Sequence, residues 1–330
     1  MSEFGAEYPN YLFYQTFKDK GHAFELFLVL VPNYVFAPLC WVFNSVLIYI
    51  TYKNKHLHAS INFLLAILAL CDFCYKLNDI PSFVVITSGR NFIPLLTCFY
   101  CQVIPLYGLL GVFLFTAIIA LDRTILLLFP LRHRRLNVKW YTLFYASASF
   151  LYITWIVSKA YMFARAHSDW PVVCTMEDTF LNEVGEFISY LGILELIIAV
   201  VLYMIILVGF QCCVGQSYNG QDRRLLKSLS VIFFIIIFVY ALNIIVRLVL
   251  PVFHLDPITY RLTTIILGLP INIDVTAGPV VLYIFSTEYR RAIQDFCSDV
   301  LAKIRGQKRT IQVQSSLVLQ NPFMQTQTAV

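Results

Sequence analysis

Seven long apolar runs, at about 24–52, 59–87, 98–129, 140–163, 184–210, 228–250 and 262–285, limit what this chain can fold into. Each has the roughly 20 residues that a helix needs to cross a hydrocarbon layer about 30 Å thick. Lipid offers backbone groups no hydrogen-bond partners, so only helices or closed barrels span it. These runs lack the period-2 alternation of barrel strands, so they read as helices. Composition agrees: 59% of residues are hydrophobic and 13% charged, whereas soluble domains carry about 25% charged residues. The expected fold is all-α, a seven-transmembrane helix bundle over residues 24–285. The last run is the weakest, since Gly268, Pro270, Gly278 and Pro279 interrupt it. An inverted-repeat transporter would show internal repeats, and none is found.

Basic residues in the connecting segments set the expected orientation. Fifteen Lys and Arg fall on the side that holds the 132–139 loop and the C-terminus, and five on the other. That bias places the N-terminus (1–23) outside a plasma membrane and the C-terminus in the cytoplasm. The first 22 residues lack a basic start followed by an apolar core, so the first span is expected to direct membrane insertion. Nine cysteines without paired C-x-x-C or Cys/His spacing argue against a zinc site. No nucleophile–base set suggests an enzyme, and no nucleic-acid partner is expected.

The third run leaves the membrane as "ALDRTILLLFPLRHRRL". Its Asp122-Arg123-Thr124 followed by "FPLRHRR" resembles the end of the third helix in rhodopsin-like G-protein-coupled receptors. Asn44 and Asp72 lie 28 positions apart, and Cys98 precedes Arg123 by 25, both as in that family. "YIFSTEYRRAI" (283–293) looks like a seventh helix turning into a short amphipathic eighth, here bounded at 286–305. With "GRNFIPLLTCFYCQVIPLYGLL" and "VVCTMEDTF", the chain is similar to nematode serpentine chemoreceptors of class Srsx. There are departures: no proline lies between Pro171 and Pro251, the sixth span has no tryptophan, and Gly278 stands where the family usually has Asn.

The resemblance implies a receptor that binds an extracellular ligand and activates a heterotrimeric G protein, without a cofactor. Asp122, Arg123, Thr124 and Arg132 would then couple to the G protein, the acid holding the arginine at rest. The alternative for Arg123 is an interfacial side chain reaching lipid phosphates. In the family, Asn44 and Asp72 belong to a hydrated cluster that can hold sodium, and Asp274 lies five positions before Pro279. A hydrogen-bonded polar core without an ion fits these three residues equally well. The family pattern also pairs Cys98 with Cys174, with Cys101 as the competing partner.

Lys76, Asp79, Glu195 and Arg247 are candidate polar linings of a ligand pocket. Lys76 and Asp79, three apart on one helix, could instead neutralise each other. Glu195 lacks a basic partner in its own helix and could meet a ligand cation or bridge to Arg247. Glu177, Asp178, Glu183 and Glu186 form either an acidic rim that favours cations or a solvated face. Cys212, Cys213 and Cys297 stand where either palmitoylated or free thiols fit, and the ending "QTAV" resembles ligands of PDZ domains. The tail 306–330 is polar and expected to be disordered. A ligand-gated cation channel of seven-helix type is the rival reading, opposed by the orientation.

Overall fold

A computed structural model describes residues 8–213, 238–239, 241–243, 245–246 and 249–305. It is a bundle of long helices, with one two-residue strand pair among the described residues. The helices are α1 (Tyr11–Phe17), α2 (Phe24–Lys53), α3 (Ser60–Tyr75), α4 (Asp79–Thr87), α5 (Leu95–Leu128) and α6 (Pro130–Arg134). After them come α7 (Val138–Ala166), α8 (Asn182–Cys213), α9 (Pro257–Ile266), α10 (Leu269–Phe285) and α11 (Thr287–Ile304).

Prolines explain where two of the long runs are cut. A proline ring collides with the carbonyl four residues earlier. Pro81 therefore disturbs the chain at Leu77, and the second run is divided there by a 3₁₀ turn, Lys76–Asn78, between α3 and α4. Pro270 does the same at Ile266, where α9 ends. Asp256 starts α9 by accepting the Thr259 N–H at 2.9 Å. The Thr259 side chain, together with that N–H, keeps its exposed carboxyl below the usual carboxylate range.

Among the described residues, five helices are long and apolar enough to cross a membrane: Phe24–Lys53, Ser60–Thr87, Leu95–Leu128, Asn182–Gly209 and Pro257–Phe285. Of the seven expected runs, those at 140–163 and 228–250 are not among these five. The 140–163 run does form a helix, α7, with 29 residues. Its tyrosines, tryptophans, serines and threonines dilute the apolar character that the other spans keep. The sixth run, 228–250, lies mostly outside the described residues. The protein is a multi-pass membrane protein built on an all-α bundle.

The axis of the bundle is α5. In its most apolar stretch 72% of residues are buried, against 17% in Asn182–Gly209. It packs against α3, α7 and α8, while α2 packs against α3 and α10. Glycines let α3 come close to α5. A Cβ at Gly108 would strike the backbone of Tyr75 and sit 2.7 Å from the Cys71 carbonyl, and one at Gly111 would sit 2.6 Å from Cys71 Sγ.

At one end of the bundle a disulfide joins Cys98 of α5 to Cys174 of the α7–α8 loop, with Cα atoms 5.3 Å apart. Cys101, the competing partner, is a free thiol. Beside the disulfide, Ile93 pairs antiparallel with Val172, and Leu95 N–H donates to Trp170 O at 2.8 Å. Asp122 and Arg123 lie at the opposite end of α5.

Candidate functional site

Three groups of polar side chains line up along the bundle, the second and third of them assembled from helices far apart in sequence. At the Arg123 end, Asp122 is fully buried and Arg123 is 5% exposed. The guanidinium folds back on its neighbour: Nε donates to Asp122 Oδ2 at 2.9 Å, and Nη2 pairs with the same oxygen. The inward pairing, rather than a guanidinium reaching for lipid phosphates, is what the structure holds. The other carboxylate oxygen, Oδ1, is 2.9 Å from His133 Nε2 of α6. His133 also meets Tyr141 of α7 edge-on, at 6.1 Å between centroids. The short helix that follows α5 thus closes over the ion pair.

Thr124 turns back to bond its own helix at Ala120 O, 2.9 Å away. Arg132 is exposed, its guanidinium 5.9 Å from the Phe129 ring centroid. Sequence reading saw the basic run "RHRR" but gave His133 no part, because nothing local places an imidazole against an acid eleven residues back.

Midway along the bundle lies a cavity of ≈ 40 Å³ whose lining includes Asn44, Asp72 and Asp274. Asn44 Nδ2 donates to the carbonyls of Cys40 at 3.0 Å and Val275 at 3.2 Å. Its Oδ1 is buried with no hydrogen-bond partner. Asp72 is 7% and Asp274 8% exposed. A small space with two carboxylates and an unused amide oxygen is chemically suited to a hard monovalent cation.

The third group lies at the 3₁₀ break. Lys76 has no exposed surface at all. Its ammonium contacts Asp79 Oδ2 at 2.6 Å, Asn272 Oδ1 at 2.9 Å and Asn33 O at 3.5 Å. Asn272 Nδ2 in turn donates to Asn33 Oδ1 at 2.7 Å. Of the two sequence readings for Lys76 and Asp79, mutual neutralisation is the one present. Asn33 and Asn272 were missed. The only signal for them was an amide inside an apolar run.

Glu195 lies on the α8 face that carries the buried Ile188, Ala199 and Tyr203, near Tyr152 of α7. Arg247, its expected counterpart, lies outside the described residues. The contacts of the Lys76 group do not include Glu195.

The acidic rim needs correction. Asp178 is 2% exposed and accepts from Thr175 N–H at 2.9 Å and from the Thr175 hydroxyl at 3.0 Å. Arg261 of α9 pairs with Asp178 and reaches Glu177 Oε2 at 3.3 Å. Half of the acidic set is thus consumed in tying the α7–α8 loop to α9, and only Glu183 and Glu186 stay exposed. Among the described residues, no group of three His, Cys, Asp or Glu could hold a metal ion. Cys297 of α11 is exposed, while the side chains of Cys212 and Cys213 and the ending "QTAV" lie outside what the structure describes.

Residues 38–297 match the family model described as "Serpentine type 7TM GPCR chemoreceptor Srsx". The match runs from the middle of α2 into α11 and includes all three polar groups except Asn33. No curated protein matches the chain.

Proposed function

The chain belongs to the Srsx family of serpentine G-protein-coupled chemoreceptors, and we propose that it couples an extracellular ligand to a heterotrimeric G protein through Arg123. It is a chemosensory receptor of the seven-helix type and not an enzyme. In this reading the fourth and sixth crossings are supplied by α7 and by residues 228–250. The N-terminus and the disulfide end face outward, and α6, α11 and the 306–330 tail face the cytoplasm, as the basic bias requires.

The observation that carries the reading is the buried Asp122–Arg123 pair capped by His133. A guanidinium in a low-dielectric site is held by its acid and its hydrogen bonds. Separation of the helices around it would free it for a partner at the cytoplasmic face, where Arg132 is already exposed. Asp72, Asp274 and Asn44 would hold a sodium ion in the mid-bundle cavity, its charge offsetting two buried carboxylates. Lys76 and Asp79 neutralise each other inside the bundle, which leaves Glu195 as the candidate for a ligand cation or for Arg247. The exposed Cys297 is a candidate for acylation, and the C-terminal Thr328 and Val330 for a PDZ partner.

Arg123→Ala is expected to abolish ligand-stimulated nucleotide exchange in membranes while leaving surface expression and ligand binding intact. Exchange equal to wild type at matched expression overturns the coupling role.

A further inference from the structure

The disulfide end of the bundle is covered by the chain's own N-terminal segment. Phe13 and Phe17, one helical turn apart on α1, are 2% and 3% exposed. They share an apolar cluster with Leu26 and Leu30 of α2, Ile86 of α4, Val173 of the α7–α8 loop and Ile265 of α9. This cluster is separate from the main core.

Main-chain groups of the segment are gripped as well. Asn91, fully buried and in the left-handed region at φ 60°, donates through Nδ2 to Phe17 O at 2.9 Å and Gly21 O at 2.6 Å. The Tyr8 hydroxyl donates to Pro171 O. Two ring sockets, a side-chain amide that donates to two carbonyls of the segment and a loop carbonyl that accepts from its tyrosine are the elements of a peptide-binding site. The fit is incomplete, because Asn91 Oδ1 is buried without a partner.

We propose that this end carries a peptide site filled by the chain's own Phe13 and Phe17, and that its ligands are peptides presenting two aromatic side chains one helical turn apart. A tether raises the local concentration of the segment into the millimolar range. Modest contacts therefore suffice to keep it seated, and a freely diffusing peptide must bind well enough to overcome that advantage. A peptide N–H placed against Asn91 Oδ1 would supply a bond that the resident segment lacks. The proposal deepens the receptor reading by naming the ligand class and rests on it for access from outside.

The test uses the full chain with a protease recognition sequence inserted after Asp19, an exposed position. The protein folds with its segment in place and is then cut and washed. The native fragment is expected either to remain bound or to exchange for a labelled synthetic peptide of residues 8–19, which the uncut chain excludes. Peptides with two phenylalanines four positions apart should displace the label. Phe13→Ser with Phe17→Ser should weaken binding by at least tenfold, whether placed in the labelled peptide or in the resident segment. A fragment that washes away without exchange overturns the proposal, as does retention indifferent to the two serines. Binding is read on purified protein, so the result stands whether or not Arg123→Ala abolishes nucleotide exchange.

Discussion

Lys76 shows how little a single residue's position reveals about its environment. Its ammonium is fully buried at a 3₁₀ break in the second span, with three oxygen partners from three segments. Removing one partner of a buried ion pair strands the other and costs about 3–5 kcal/mol, whereas replacing both with apolar groups is often close to neutral. Lys76→Met should therefore lower the thermal unfolding midpoint of the purified receptor markedly. Lys76→Met combined with Asp79→Leu should recover most of the loss, since Asn33 and Asn272 remain bonded to each other. A single variant as stable as wild type, or a double variant no better than the single, removes the pair from the bundle's energetics. The charge of Lys76 was plain in the sequence, and so was its spacing from Asp79. Its amide partners lie 43 and 196 positions away and became visible only when the helices were packed. His133 was hidden for the same reason, since it meets Asp122 from a different helix.

At the scale of elements, helix length and apolarity were readable, while the close approaches between helices were not. Five spans follow from run length alone, because lipid imposes one conformation on any such run. The breaks at Pro81 and Pro270 could also be anticipated from proline's missing donor and its ring. By contrast, α1 is seven residues long and aromatic rather than aliphatic, so no periodicity marks it. Its helix exists because Phe13 and Phe17 have somewhere to be buried. Glycines in spans are equally ambiguous until their neighbours are known. Without a hydrophobic drive between helices in lipid, close packing through small residues is what holds them together. Gly108 and Gly111 meet α3 directly, whereas a Cβ at Gly192 would meet nothing within 4 Å. Gly108→Ala should push α3 and α5 apart and reduce both thermal stability and surface level. Gly192→Ala should be neutral or raise stability by up to about 1 kcal/mol, the helix-propensity difference. Equal behaviour of the two variants in a melting series would show that the α3–α5 contact is not tight.

For the molecule as a whole, the α7–α8 loop is what ties the disulfide end together. On one side Cys174 bonds Cys98 of α5, the central helix. On the other, Asp178 and Glu177 hold Arg261 of α9, so the loop spans from the axis of the bundle to the last crossing. Between these two straps Val173 contributes to the cluster that seats Phe13 and Phe17. Cys98→Ser and Cys174→Ser should each impair surface folding, and the double variant should match either single, because only one bond is lost. Arg261→Gln acts on the opposite side of the loop and leaves Asp178 with only its Thr175 partners. It should lower surface level alone, and should add to the cysteine defect when combined, since either strap can still hold the loop when the other is gone. Peptide mapping under non-reducing conditions should recover Cys98 joined to Cys174. Recovery of Cys101 in that bond, or an Arg261→Gln effect that vanishes in the cysteine background, would mean that the loop is not held independently from both sides.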